Sequence, residues 1–168
     1  VRRAVDMVLD ASNLSEEPIY TYGPLIHNPQ VLEMLKEKHI HRLDSIPKNG
    51  SGIVLIRAHG VPPEDEKALE DAGFTVINAT CPRVVRVQVI INKYAKRGCS
   101  TIIIGDEKHP EVIGLLGYAR GKGHTVTSME QLKALPKFDA AVVVAQTTQN
   151  TAFYTEIKNL RVRSIIFS

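Results

Sequence analysis

The segment Gly52–Pro63, GIVLIRAHGVPP, decides the fold of this chain. It begins with a short apolar run, Gly52–Ile56, which is typical of a strand buried on both faces. A turn with a histidine follows, and Pro62 and Pro63 then open a helix, because proline fits the first helical turn. A buried strand that leads through a polar turn into a helix is the building unit of a parallel α/β sheet.

The same unit recurs from one end of the chain to the other. Strands are predicted over 18–22, 52–56, 74–77, 100–105, 125–127, 140–144 and 164–167. Helices are predicted over 1–9, from Pro29 with Asn28 as the N-cap, over 62–72 and 83–96, from Pro110, from Ser128 and over 150–160. Strands that alternate with helices through short loops predict parallel sheets with helices on their faces.

The pattern also restarts halfway along the chain, which indicates an internal repeat. The tetrapeptide Asn28-Pro29-Gln30-Val31 matches His109–Val112, with Pro29 and Pro110 81 positions apart. A repeat of this length corresponds to two copies of a small α/β domain rather than to a solenoid. We therefore predict two parallel-sheet αβα domains, residues 1–83 and 84–168, with the boundary inside the helix that follows Cys81.

Composition narrows the classes of protein. The chain has 168 residues, 43% of them hydrophobic, with a formal net charge of +3 and no tryptophan. It lacks basic runs and the aromatic content of a nucleic-acid surface, and no stretch approaches the ~20 apolar residues of a membrane span. Two cysteines do not make a disulfide framework. The sequence predicts a soluble cytoplasmic protein without nucleic-acid or membrane partners.

Polar residues gather where the predicted strands end. They are His27, His59, Cys81, the pair His109 and Glu111, and the pair Gln146 and Thr147. Ligands of parallel α/β proteins bind beyond the carboxyl ends of the strands. Residue types that ligate metal, bind phosphate or move protons, repeated at these ends, predict one shared site.

Each candidate also has a simpler structural explanation. Cys81 precedes a helix opened by Pro82, which suits a thiolate that ligates metal or acts as a nucleophile, but a small buried cysteine is the alternative. His27 and His59 lie beside helix N–H groups and either bind phosphate or cap the helix. Cys99, which precedes a buried strand, is interpreted as structural, and His39, His41 and His124 as surface residues.

Glu111 falls on the first turn of a predicted helix. A carboxylate there often only complements the helix dipole. A general acid at this position needs burial, and His109 and Thr147 are natural hydrogen-bond partners for it. The sequence leaves both roles open.

Taken together and in order, these segments resemble the 4-hydroxy-3-methylbut-2-enyl diphosphate reductases of the non-mevalonate isoprenoid pathway. The matching segments are Leu25–Asn28, Ala58–Val61, Asn78–Pro82, Gly105 with His109–Val112, and Gln146–Thr148, and Val1–Val5 resembles the helix after the family's first cysteine motif. Each segment alone is unspecific, whereas the ordered set runs along the whole chain.

The resemblance implies three similar α/β domains in a trefoil around a [4Fe–4S] cluster with one cysteine from each domain region. Its unligated iron binds the substrate hydroxyl, which leaves as water with electrons from a ferredoxin or flavodoxin, giving isopentenyl and dimethylallyl diphosphate. Carried over by motif, Cys81 is a cluster ligand and Glu111 delivers the proton in a network with Thr147 and His109. His27 and His59, with His109 and Thr147, contact the small diphosphate substrate.

The chain departs from the family pattern in ways that bear on activity. The family's first cysteine is expected just before Val1 and its third just after Ser168, the third domain is absent, and Ala145 replaces a usual serine or threonine. One thiolate does not hold a four-iron cluster. We therefore expect the 168 residues alone to be inactive, although the parent protein is expected to be a reductase.

Two alternative functions remain open on the sequence. The first is a cluster-free module that binds a small phosphorylated ligand through His27 and His59. The second is a hydrolase with Cys81 as its nucleophile and a histidine as base. A nucleotide site of the Rossmann type is disfavoured because no G-x-G-x-x-G segment follows a strand.

Overall fold

The structure is a computed structural model, and it describes residues 2–25, 28–147 and, for the backbone alone, 165–167. The chain divides into two compact units, Val1–Cys81 and Pro82–Ser168. The division falls at the first residue of a helix, two residues before the boundary expected from the sequence, because that helix packs on the strands of the second unit.

The first unit is a four-stranded parallel sheet with helices on both faces. Its elements are α1 (Arg2–Leu14), β1 (Ile19–Tyr22), α2 (Pro29–Glu37), β2 (Ile40–Leu43), β3 (Ile53–Ile56), α3 (Pro63–Asp71) and β4 (Thr75–Asn78). The strand order is β2-β1-β3-β4, and every described pair is parallel. Leu55 packs toward Val8 and Leu35 in one core, whereas Val54 and Ile56 pack toward Leu69 in the other. Both faces of β3 are therefore buried, as its unbroken apolar run predicts.

The second unit has the same arrangement. Its elements are α4 (Pro82–Ala95), β5 (Ser100–Ile104), α5 (Pro110–Tyr118), β6 (Gly123–Val126), α6 (Met129–Ala134), β7 (Ala141–Ala145) and β8 (Ile165–Phe167). The strand order is β6-β5-β7-β8, again parallel throughout. The predicted α/β class with two repeated parallel-sheet units is thereby confirmed.

Strand register shows how closely the two units correspond. Ile19 of β1 pairs with Ile53 of β3, and Ser100 of β5 pairs with Ala141 of β7. The central strands are thus 81 positions apart, and their partners are 88 apart. The second unit is longer between its first and third strands. Its extra helix α6 lies between β6 and β7, whereas no helix lies between β2 and β3 among the described residues of the first unit.

Two local expectations were wrong. β2 forms over residues 40–43, where no strand was predicted. The prediction failed because only Ile40 of the four residues is buried, and an edge strand carries little apolar signal. His124 was interpreted as a surface residue in a turn. It lies instead on β6, half-buried, with its ring 4.9 Å from the ring of Phe138.

Helix starts follow the sequence signals more closely. Asn28 caps α2 as predicted, since its side-chain oxygen accepts hydrogen bonds from the backbone N–H groups of Gln30 and Val31. Ser128 caps α6 through the N–H of Gln131. The helix expected over 150–160 lies outside the described residues. Among the helices that are described, none is both long and apolar enough to cross a bilayer.

Candidate functional site

In the first unit, the strand-end candidates lie on two loops that are bonded to each other. His59 is half-buried in a tight turn after β3, closed by the Gly60 N–H donating to the carbonyl of Arg57 at 3.0 Å. Gly60 has a φ of 75°, which a residue with a side chain rarely adopts. The N–H of Cys81 donates to the Ala58 carbonyl of this turn at 2.8 Å. The backbones that carry His59 and Cys81 are therefore held together.

The segment before Cys81 is fixed by further bonds. The N–H of Thr80 donates to the side-chain oxygen of Asn78 at 3.0 Å, and Arg3 of α1 donates to the Thr80 carbonyl at 3.2 Å. Cys81 is a half-buried free thiol, directly before the first residue of α4. The Thr80 hydroxyl is buried and has no hydrogen-bond partner among the residues that the structure describes.

In the second unit, a buried carboxylate is held by the strand end opposite its helix. Glu111, on the first turn of α5, has only 1% of its surface exposed. One of its carboxylate oxygens accepts from the backbone N–H of Thr147 at 2.7 Å, and the other accepts from the Thr147 hydroxyl at 2.8 Å. Both carboxylate oxygens therefore have a fixed donor. The two donors belong to Thr147, which is itself exposed.

His109 sets the start of the same helix. It is the N-cap of α5, and its ring nitrogen Nδ1 accepts from the Glu111 backbone N–H at 3.2 Å. With Nδ1 as the acceptor, a neutral ring carries its proton on Nε2. The imidazole and the carboxylate are thus placed by adjacent positions of one helix turn, as the spacing His109-Pro110-Glu111 predicts.

A glycine lets this turn approach the end of β7. A Cβ built on Gly105 would lie 2.8 Å from the side-chain oxygen of Gln146 and 2.8 Å from a methyl group of Val112. Gln146 is buried, and its side-chain oxygen accepts from the N–H of Asp106 at 3.3 Å. The close approach of β5, α5 and β7 at this point positions Thr147, the next residue along the chain.

Among the predicted site residues, His59 and Cys81 share bonded loops in the first unit, and His109, Glu111 and Thr147 form one hydrogen-bonded group in the second. His27 lies outside the described residues. Their catalytic and binding roles stay predictions. Cys99 is half-buried, and His39 and His41 are exposed, as expected for residues outside the site.

Sequence reasoning missed the role of one residue at these strand ends and overlooked another residue. Gln146 was noted at the end of β7, but its packing role was not expected; Gly105 at the end of the neighbouring strand was the available signal. Arg57 was overlooked altogether. Its guanidinium lies over Gly23, where a Cβ would be 2.8 Å from Nη1. A charged residue directly after an apolar strand is the signal that could have identified it.

The described residues do not by themselves fit a four-iron cluster. No group of three or more histidine, cysteine, aspartate or glutamate side chains able to hold a metal occurs within the ranges that the structure describes. Cys81 is a half-buried free thiol whose backbone N–H is bonded to the neighbouring turn. It can supply one thiolate of the several that such a cluster needs.

Known proteins of one family match nearly the whole length of this chain. Residues 1–165 match the family described as LytB protein. The chain is 39% identical over 160 residues to the 4-hydroxy-3-methylbut-2-enyl diphosphate reductase of Aquifex aeolicus, covering 94% of this chain and 55% of the relative. It is 38% identical over 158 residues to that of Alkaliphilus oremlandii, covering 94% and 57%. The chain thus spans a little over half the length of these relatives.

Solved structures agree with the sequence matches. A structure of (E)-4-hydroxy-3-methyl-but-2-enyl diphosphate reductase, described as the terminal enzyme of the non-mevalonate pathway, superposes with a TM-score of 0.87 at 37% identity. It covers 99% of this chain and 62% of the solved one. The corresponding reductase from Plasmodium falciparum gives a TM-score of 0.84 at 27% identity, covering 99% and 55%. With its motifs in family order, its repeated sheets superposed and its length matched to residue 165, the chain belongs to the LytB family.

Proposed function

We propose that the protein to which this chain belongs is a 4-hydroxy-3-methylbut-2-enyl diphosphate reductase. The reaction replaces the C–OH bond of the substrate by C–H; an electron pair and two protons enter, and the hydroxyl leaves as water. The products are isopentenyl and dimethylallyl diphosphate. The similarity to named reductases over 94% of the chain supports this assignment.

The observation that carries the proposal is the group formed by Glu111 and Thr147. A proton donor for a leaving hydroxyl has to be shielded from bulk water and held in one orientation. Glu111 meets both conditions, because it is 1% exposed and both of its oxygens accept from Thr147. We propose that Glu111 delivers a proton to the leaving hydroxyl and that His109 orients and contacts the same part of the substrate.

The other predicted residues receive roles by the same proposal. His59 and His27 bind the diphosphate, and Cys81 ligates an iron–sulfur cluster, the [4Fe–4S] group of the resemblance, whose remaining ligands are not among the described residues. That group supplies the electrons when it is bound, and we propose a ferredoxin or flavodoxin as their source. The proposed compartment is the cytoplasm.

The experiment is a turnover assay of the full-length, cluster-loaded protein with reduced ferredoxin. Glu111→Gln keeps the shape of the side chain but carries no transferable proton, so we expect kcat to fall by a factor on the order of 10²–10⁴. Thr147→Val removes the hydroxyl donor and is expected to lower kcat less than Glu111→Gln does. Thr147→Ser keeps a hydroxyl and is expected to retain most of the wild-type kcat. Glu130→Gln, at an exposed glutamate on α6, is the matched control.

Two results would contradict the proposal. Retention of wild-type kcat by Glu111→Gln would remove Glu111 from the proton step. Absence of any product from a protein that carries its cluster and is reduced would remove the reductase assignment. Binding of a phosphorylated ligand without iron would then favour the cluster-free module.

A further inference from the structure

Arg57 lies in the first unit, where the carboxyl ends of β1 and β3 meet. It directly follows β3, and its carbonyl closes the turn that carries His59, two residues later. Its guanidinium lies over Gly23, the residue after β1, where a Cβ would be 2.8 Å from Nη1. Gly23 has a φ of 73° and leads into the segment that contains His27. Arg57 is therefore at the carboxyl ends of β1 and β3, the ligand-binding edge of a parallel sheet.

The charge of this guanidinium is not neutralised within the part of the chain that the structure describes. The Nε atom of Arg57 is buried, and no described residue provides it with a hydrogen-bond acceptor. The described ion pairs are Arg42 with Asp44 and Lys67 with Asp71, and neither includes Arg57. Burial is the main cause that lowers the pKa of Arg57; the nearby Tyr22 opposes the shift and Arg42 adds to it. An arginine nevertheless stays charged.

Two acidic residues on the first turn of α3 accept hydrogen bonds from groups other than Arg57. Asp65, on the first turn of α3, accepts from the hydroxyl of Tyr22 at 3.1 Å. Glu66 on the same turn accepts from the side-chain amide of Asn78 at 2.9 Å. A half-buried cation without a counter-charge carries a desolvation cost, which a bound anion would offset.

We propose that Arg57 is an additional anion-binding residue of this protein, whose guanidinium supplies fixed positive charge to a diphosphate group bound at the edge formed by the ends of β1 and β3. The proposal rests on the proposed function and adds a residue to its substrate site. Arginine suits the task because its planar fork presents several N–H donors to phosphate oxygens. Since Nε is covered, the terminal amino groups make the contact.

The residue that follows the apolar strand β3 is an arginine, and two roles for it can be compared. A purely packing role would need the bulk of the side chain over Gly23 and would leave the charge without use. An anion-binding role needs the charge and the fork. The two roles differ in what lysine and glutamine do at position 57, because lysine keeps the charge and glutamine keeps only polarity.

The experiment measures binding of inorganic pyrophosphate to the 168-residue chain by calorimetry at constant ionic strength. We expect Arg57→Gln to weaken binding about tenfold, the loss typical of one charge-assisted hydrogen bond. Arg57→Lys is expected to fall between Arg57→Gln and the unaltered chain. Arg86→Gln, at an exposed arginine of α4, removes the same charge in the second unit and is expected to leave binding unchanged.

A second measurement covers the case in which Arg57→Gln does not fold. The Nε–H group of Arg57 is shielded from water, so its proton gives an NMR signal that Arg57→Lys lacks and thereby assigns. Millimolar pyrophosphate is expected to shift this signal, whereas the same ionic strength of chloride is not. Gly23→Ala, which displaces Nη1 without changing the charge, is expected to weaken pyrophosphate binding as well.

The proposal is overturned by wild-type affinity in folded Arg57→Gln, by an equal loss in Arg86→Gln, or by an Arg57 signal that pyrophosphate does not move. These results are separate from the reductase assay. A cluster-loaded protein that makes no product while its pyrophosphate binding depends on Arg57 would refute the proposed reaction and leave the anion site standing. A protein that is an active reductase but binds pyrophosphate equally well without Arg57 would support the proposed reaction and refute the anion site.

Discussion

Glu111 shows how much a single residue's surroundings add to its sequence context. From the sequence, a glutamate on the first helical turn after His109-Pro110 fits a dipole partner as well as a general acid. The structure buries it and gives both carboxylate oxygens to Thr147, 36 positions away. That contact depends on α5 packing beside β7, which a local pattern does not encode. Thr147 was predicted as a hydrogen-bond partner of Glu111, whereas the sequence did not predict that this one residue bonds both carboxylate oxygens.

Tyr22 gives a test at the same scale. Burial, with the charge of Asp65 and its hydrogen bond, raises the pKa of Tyr22 from 10.0 to about 12. The folded state thus keeps a proton that the unfolded chain releases, and the stabilisation present below pH 10 is lost as the pH rises toward about 12. Urea unfolding at a series of alkaline pH values should show this fall.

Tyr22→Phe provides the control, because it has no phenol proton to lose. We expect its free energy of unfolding to depend less steeply on pH over the same interval. Equal slopes for the two proteins would mean that the environment of Tyr22 does not hold its proton. The other four tyrosines of the chain are the same in both proteins, so the comparison isolates Tyr22.

Among the elements, strands buried on both faces were the easiest to predict. β3 and β7 are unbroken apolar runs and β5 ends in three isoleucines, and every residue of β7 except the last is buried. The edge strand β2 was missed because its two middle residues, His41 and Arg42, are polar and exposed, so that neither an apolar run nor an alternation marks it. Helix starts with a proline or a capping residue were found, since a cap is a local interaction. Prediction therefore succeeded for β3 and α2 and failed for β2.

The contact between β5, α5 and β7 is testable by Gly105→Ala. The added Cβ would lie 2.8 Å from both Gln146 and Val112, so one of these elements has to move. Overpacking of this kind costs about 1–3 kcal/mol of unfolding free energy. Urea denaturation gives the cost, and NMR of the Glu111 backbone N–H shows whether its bond to His109 is disturbed.

Gly121→Ala is a suitable comparison for that substitution. No atom lies within 4 Å of a Cβ built there, although its φ of 77° adds backbone strain of its own. We expect Gly121→Ala to leave the Glu111 signal unchanged. A Gly105→Ala protein with unaltered stability and an unaltered Glu111 signal would show that the approach is looser than the distances indicate.

For the whole molecule, the internal repeat was the most informative sequence signal. The match between Asn28–Val31 and His109–Val112 fixed the spacing of the central strands, and the sheets repeat with the same strand order. From the sequence, the boundary between the two units was predicted inside α4, because the sequence pattern does not assign this helix to either copy of the repeat. Packing decides the matter: Val84, Gln88 and Ile91 of α4 are buried, and α4 contacts β5, β7 and α5.

The number of thiols in the molecule leads to a prediction about the cofactor. The 168 residues contain two cysteines, and Cys99 lies before β5, at the amino end of that strand, whereas Cys81 follows β4 at a carboxyl end. Anaerobic reconstitution of this chain with iron and sulfide is therefore expected to give no stable four-iron cluster. Visible absorption and an iron count per chain provide the measurement. A stable cluster with four irons, unaffected by Cys81→Ser, would contradict the assignment of Cys81.

The strand order also governs how the chain acquires its structure during synthesis. β1 and β5, which lie inside their sheets, form no hairpin with a neighbour in sequence; each must wait for partners brought back by a crossover. Contacts between distant positions slow folding, because loop closure precedes any gain from pairing. The first sheet can close only after Asn78 has left the ribosome, and the second only after Phe167. Until then, β1 and β5 each carry unpaired backbone, so the emerging polypeptide is most open to chaperones, and to mispairing between its two similar halves, before each fourth strand arrives.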